Sequence, residues 1–200
     1  MRVFIQIGTN DGRDDFNRLV KVVRPDRIIL IEPNSIHNKS IRESYREVSN
    51  VYIENVAITT APGNVKLQHP RNFDGKARNG IQYSDSHFSL LPMKDWGKEL
   101  DTIEVQGMTF MDLCKKYKVN HVEYLQIDTE GFDGKIIKSI DFGKVSISSI
   151  RYEYWDFAQE CFEEDQGTCG RDEMMEVSKY LEGLGYFITP LKGDVIATKR

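Results

Sequence analysis

The sequence predicts an α/β fold: a mostly parallel sheet with helices on both faces and an antiparallel strand pair at the end. Three observations predict it. The central strands read as near-continuous apolar runs, "VFIQI", "RIILI" and "VEYLQI", as strands buried on both faces do. Segments with helical spacing separate them, as crossovers between parallel strands require. The chain closes on two short runs flanking "PLKGD", the pattern of a hairpin.

Each element follows in order. Arg2–Ile7 is the first strand. Asp14–Val23 spaces Phe16, Leu19, Val20 and Val23 as one helical face, and Pro25 stops the helix. Arg27–Ile31 is a second buried strand, Asn34–Val48 a polar helix and Val51–Ile58 a third strand. Thr109, with Asp112 three residues on, opens a helix around Lys115 in the manner of a capping box. The run ending at Ile127 is a fourth central strand, Lys135–Ile140 a short helix and "SSIRYEYW" a fifth strand. Arg171–Leu184 is helical, with Met174, Val177, Leu181 and Leu184 on one face. Tyr186–Thr189 and Val195–Thr198 form the closing hairpin.

Two hundred residues suit one domain, and no repeat or low-complexity linker divides the chain. The stretch from about 60 to 106 is too long for a plain connection. Within it "GNVKLQH" and "DTIEVQ" read as two extra strands, leaving 70–100 as a mobile segment over the site. No apolar run has the length of a membrane span, and none sits at the N-terminus as in a signal peptide. Three cysteines, an odd number, suit a reducing compartment, so a cytoplasmic protein is expected; pairing of Cys161 with Cys169 is the lesser reading. The net charge of −4 argues against a nucleic-acid partner. One basic cluster, His69, Arg71, Lys76 and Arg78, reads first as a solvated loop and second as a contact for an anionic acceptor.

The turn after the first strand, "IQIGTNDG", points to a ligand. Gly8 stands where that strand ends, and glycine there lets backbone N–H groups approach a bound molecule. A dinucleotide fingerprint would need a second glycine where Thr9 stands, which disfavours an NAD-dependent oxidoreductase. Asp11 and Asp14 would repel a pyrophosphate and favour a cationic ligand end. S-adenosylmethionine, with its ammonium and sulfonium, suits that field. Gln6, Gly8, Asn10, Asp11 and Gly12 are the candidate residues of this turn. Glu32, twenty residues beyond Gly12 at the end of "RIILI", is placed to bind both ribose hydroxyls, with Pro33 beside it. Asn55, Val56 and Ala57 are candidates for the adenine. The alternative is a tight strand-to-helix turn that binds nothing.

Taken together, "IQIGTNDG", "IEPN", "VYIENVAI", "TFMDLCKKYKV", "YLQIDTEGFDGKII" and "IRYEYW" resemble the FkbM family of S-adenosylmethionine-dependent methyltransferases, in family order, from about residue 3 to 155. The resemblance implies a class I methyltransferase (Rossmann-like) fold: a seven-stranded sheet with its last strand antiparallel. It also implies methylation of hydroxyl oxygens, often on sugars or polyketides. Two departures stand out. Gln6 replaces the family's usual Asp, and Asp133 its usual Glu.

Methyl transfer to an alcohol needs an aligned acceptor and a route for its proton. Asp128, Glu130 and Glu153 follow the fourth and fifth strands and are expected to converge there; Asp128 also borders the cofactor. By analogy with catechol-type methyltransferases, Asp128 and Glu153 are candidate ligands for magnesium. Glu130 has the alternative of capping the next helix, and Glu153 that of pairing with a nearby Arg. His87, in "YSDSHFSLL", is a candidate base with the alternative of a surface loop histidine.

The leading expectation is an O-methyltransferase acting on a hydroxyl of a sugar or glycan. Alternatives are a methyltransferase of a small secondary metabolite or of nitrogen, and a non-catalytic S-adenosylmethionine-binding module. Strand residues follow Met1 at once, so an open acceptor side is expected. That suits a glycan end and a domain docked or fused to a glycosyltransferase.

Overall fold

The computed structural model describes residues 1–70, 90, 100–153 and 170–199. Seven strands form the main sheet: β1 (Val3–Ile7), β2 (Arg27–Ile31), β3 (Val51–Glu54), β7 (His121–Ile127), β8 (Ser146–Glu153), β9 (Tyr186–Pro190) and β10 (Asp194–Lys199). Their order is β3-β2-β1-β7-β8-β10-β9. All neighbours are parallel except β10, which runs antiparallel to both β8 and β9. The closing hairpin is therefore present, but its antiparallel strand lies inside the sheet and β9 takes the edge.

The helices cover both faces. Ile5, Ile7, Ile29, Ile31, Leu125 and Ile127 point to one side. There they pack with α3 (Phe110–Tyr117), α4 (Asp133–Ser139) and α5 (Gly170–Gly183) through Phe110, Leu113, Ile136, Ile137, Val177 and Leu181. Phe4, Ile28 and Leu30 point to the other, against Phe16 and Val20 of α1 (Asp15–Val23) and Ile41 and Tyr45 near α2 (Asn38–Ser44). Each such buried side chain contributes roughly 1.5–3 kcal/mol, which is why the apolar runs located these strands.

Local signals fix the helix ends. Asp14 caps α1 by accepting the Asn17 N–H at 2.9 Å, and Arg24 ends it in the left-handed region at φ 52°. Thr109 caps α3 by accepting the Asp112 N–H at 3.0 Å, as the capping-box pattern predicts.

Two expected elements are divided. The helix expected over Asn34–Val48 is a 3-10 turn, Ser35–His37, followed by the short α2. Asn34 opens that turn by accepting the Ile36 N–H, and the Ser40 and Ser44 hydroxyls donate to the Asp11 carbonyl, so the segment is bent onto the glycine turn. The strand expected over Val51–Ile58 breaks after Glu54. The Asn55 amide donates to the Glu32 carbonyl at 2.8 Å, and the chain leaves the main sheet. It continues as β4 (Ala57–Ile58), which joins β5 (Gly63–Pro70) and β6 (Leu100–Met108) in a second sheet of order β4-β6-β5. The two extra strands read from the insertion are β5 and β6. The expected mobile segment over 70–100 falls, Leu90 and the strand ends aside, outside the described residues, as do His87, Cys161 and Cys169. Cys114 is a free, buried thiol in α3. Among the described residues no helix is long and apolar enough to cross a membrane.

Candidate active site

The carboxyl ends of β1, β2 and β7 meet around a cleft that is open to solvent. The main chain makes its floor. The Gly8 and Thr9 amides both donate to the Ile31 carbonyl, at 3.0 and 3.1 Å, and the Asp128 amide donates to the Ile7 carbonyl at 2.9 Å. Gly8 has φ +83°, and a Cβ on it would lie 1.7 Å from the Asp128 carbonyl oxygen. Only glycine lets the turn approach β7 so closely.

On the β2 side Glu32 is nearly buried, and the turn holds it through the main chain. One carboxylate oxygen accepts the Asn10 N–H at 2.8 Å, the other the Asn34 N–H at 2.9 Å. Burial raises the Glu32 pKa, and those two hydrogen bonds work against the rise. Each oxygen keeps a lone pair for a further donor. Asn10 adopts φ 51° to present its amide this way.

Of the residues expected to hold a cofactor, Gly8, Asn10, Glu32, Pro33, Val56, Ala57 and Asp128 line the cleft. The others do different work. Gln6 is fully buried on the opposite face of β1 from Ile7, and its amide donates to the Asp14 carboxylate. Strand alternation alone carries that signal, because Ile7 lines the cleft and its neighbour must point away. Asp11 accepts the Arg13 N–H at 3.0 Å outside the cleft. Gly12, at φ +74°, makes room for α2: a Cβ there would sit 3.3 Å from Ile41 Cα and Tyr45 Cε2. Asn55 braces the Glu32 main chain and exchanges amide hydrogen bonds with Asn38.

Sequence reasoning missed Ile58, Leu67, Leu90 and Thr129, which also line the cleft. Leu67 arrives on β5, so the second sheet supplies part of an apolar wall. No local pattern marks it.

The expected carboxylates do converge. Asp128 is exposed at the cleft rim yet densely surrounded by protein. Desolvation, then the Glu130 charge, push its pKa up, while a hydrogen bond with Glu153 opposes the rise. For Glu153, desolvation and the Asp128 charge push the same way, upward. The two carboxyls stand close enough to perturb each other's titration, and like charges so placed favour the state in which one of them is protonated. Glu130, in the left-handed region at φ 53°, is pushed up to about 7 by desolvation and by Asp133.

The alternatives for these acids resolve differently. The arginine near Glu153 is engaged elsewhere: Arg151 pairs with Asp194 at 2.7 Å and approaches Asp15 at 3.7 Å. Asp133 ties down the start of α4. It accepts from Thr129 N–H at 2.9 Å and from the Glu153 N–H at 3.0 Å. Asp128 and Glu153, the candidate magnesium ligands, stand close enough to perturb each other's titration; among the described residues no group of three or more His, Cys, Asp or Glu is arranged to hold a metal ion.

A family model described as the methyltransferase FkbM domain matches residues 6–188. A search of curated proteins found no match. Several solved structures share the fold. The O-methyltransferase TomG of Streptomyces achromogenes, involved in tomaymycin synthesis and solved with S-adenosylmethionine, aligns with a TM-score of 0.56 at 11% identity, over 99% of this chain and 73% of that one. An O-methyltransferase of Bacillus cereus in complex with S-adenosylhomocysteine aligns at 0.52 and 9% identity, over 100% of this chain and 74% of the other. A Streptococcus mutans protein assigned as a methyltransferase, also with S-adenosylhomocysteine, gives 0.52 and 9%, over 100% and 89%. The architecture is the class I methyltransferase fold.

Proposed function

The chain belongs to the FkbM methyltransferase family, and on that premise we propose that it is an S-adenosylmethionine-dependent O-methyltransferase acting on a hydroxyl of a sugar or glycan. The cleft fits the cofactor on its own features. The bare Gly8 turn leaves room that a Cβ would close, and Glu32 offers free lone pairs to the ribose hydroxyls. Val56, Ala57, Ile58 and Leu67 form an apolar wall for the adenine. When bound, the cofactor supplies an electrophilic methyl group on a sulfonium.

The observation that carries the reading is Asp128 lining the cleft beside the Gly8 turn, its carbonyl 1.7 Å from where a Gly8 Cβ would lie, with the Glu153 carboxyl adjoining it. A pair holding one proton has one ionised member near neutral pH. That carboxylate accepts the proton of an acceptor hydroxyl as the oxygen attacks, while the protonated partner stabilises the charge. The adjacent Glu130 and Asp133 make this end of the cleft acidic, which favours an uncharged polyol over a phosphorylated or carboxylated acceptor.

The Gln6 side chain donates to Asp14 and does not line the cleft, so the departure at this position gives no support to a module without catalysis. Small-metabolite and nitrogen acceptors are the competing outcomes of the test. The experiment transfers labelled methyl from S-adenosylmethionine to a panel of monosaccharides, oligosaccharides, phenols and amines. Transfer to sugar hydroxyls, reduced at least about tenfold in Asp128→Asn with cofactor affinity changed less, is the expected result. Transfer to phenols or amines alone replaces the acceptor class, and full activity in Asp128→Asn removes the proposed base.

A further inference from the structure

We propose that Asp133 is a positioning residue for methyl transfer: its single carboxylate holds the loop after β7 and the end of β8 in the register that brings Asp128 and Glu153 together. The inference rests on the catalytic reading above, and it assigns a role to a side chain that does not line the cleft.

Asp133 is 3% exposed at the first position of α4. Its Oδ1 accepts both the amide and the hydroxyl of Thr129, the former at 2.9 Å. Its Oδ2 accepts the amide of Glu153 at 3.0 Å, twenty residues away in sequence. One group therefore bridges the loop after β7 and the end of β8, which carry the reacting carboxylates. A buried carboxylate is costly, and this one lies among like charges from Asp128, Glu130 and Glu153. Apolar packing would serve α4 better if stability were the only demand.

The loop it restrains has reason to move. Glu130 and Gly131 both occupy the left-handed region, at φ 53° and 98°. A non-glycine residue there is strained and stays only where neighbours hold it. Removing one oxygen of Asp133 leaves either the Thr129 or the Glu153 amide unpaired, and the loop after β7 is free to part from the end of β8.

Asp133→Asn keeps the shape and loses one acceptor. With labelled S-adenosylmethionine and a panel of methyl hexosides as the acceptor probe, we expect kcat to fall at least about tenfold while S-adenosylhomocysteine affinity changes less than about threefold. In a double-mutant cycle the same substitution should have little effect in a Glu153→Gln background, because Asp133 acts through Glu153. Unchanged kcat, or effects that multiply independently, would overturn the proposal. If Asp133→Asn fails to fold, Asp133→Glu keeps both acceptors: retained rate supports the bridge, and a rate lost in the folded Glu variant with intact amide protection overturns it. If wild-type protein methylates no hexoside, the acceptor reading fails on its own. The bridge is then read by amide hydrogen exchange in the S-adenosylhomocysteine complex. Thr129 and Glu153 should lose protection together in Asp133→Asn while Gly8 keeps its own; unchanged protection would refute it.

Discussion

A Cβ atom on Gly8 would lie 1.7 Å from the carbonyl oxygen of Asp128, far inside van der Waals contact. The obstruction is main chain from a central strand, so no side chain can swing away. Gly8→Ala should therefore destabilise the protein by on the order of 3–5 kcal/mol, through the clash and the φ of +83° together. Urea unfolding measures it. A stability within about 1 kcal/mol of wild type would show that the turn and β7 can separate.

Glu32 joins the ligand site to the stability of the turn. Because Asn10 and Asn34 both donate to it, Glu32→Ala should weaken S-adenosylhomocysteine binding at least about tenfold and also lower the melting temperature. Glu32→Gln, which keeps one acceptor oxygen, should fall between the two. Titration calorimetry with unchanged affinity in the Ala variant would remove the ribose assignment.

Stability should fall as pH rises through the range from about 4 to 7. Glu130 and Asp133, whose ordinary values are 4.5 and 3.8, are each pushed up to about 7 in the folded chain by burial and neighbouring carboxylates. In that window the folded state keeps protons that the unfolded chain has released, so raising the pH favours unfolding. The ligand-free protein should melt at a higher temperature at pH 5 than at pH 8. Glu130→Gln removes one of the two titrations and should flatten the slope; a melting temperature that rises from pH 5 to 8 would contradict this.

Chelation should leave the reaction unchanged. Asp128 and Glu153 interact with each other, and among the described residues no group of three or more His, Cys, Asp or Glu is arranged to hold a metal ion. Methyl transfer assayed with EDTA and with added magnesium should proceed at equal rates. Loss with EDTA and recovery with magnesium would turn the pair into metal ligands after all.

Much was legible in the sequence because it rests on local rules. Apolar runs such as "RIILI" need burial on both faces, so they located the parallel strands. Asp14 and Thr109 start helices by accepting from amides three residues on, a relation written entirely within the segment. Gly8 and Glu32 stand at strand ends, where an α/β sheet presents its ligand site, so their place in the cleft followed from spacing.

Only the tertiary structure decided which distant groups meet. Asn55 breaks an apolar run that carries no turn signal, because its partners, the Glu32 carbonyl and Asn38, lie elsewhere in the chain. Leu67 reaches the cleft through the pairing of β4, β5 and β6. Asp133 reads locally as an acid in a helix's first turn, yet its second oxygen belongs to Glu153. Periodicity and capping are properties of neighbouring residues, and one sequence suffices to show them. Strand order and register set contacts between residues far apart in the chain, and those exist only once the sheet has closed.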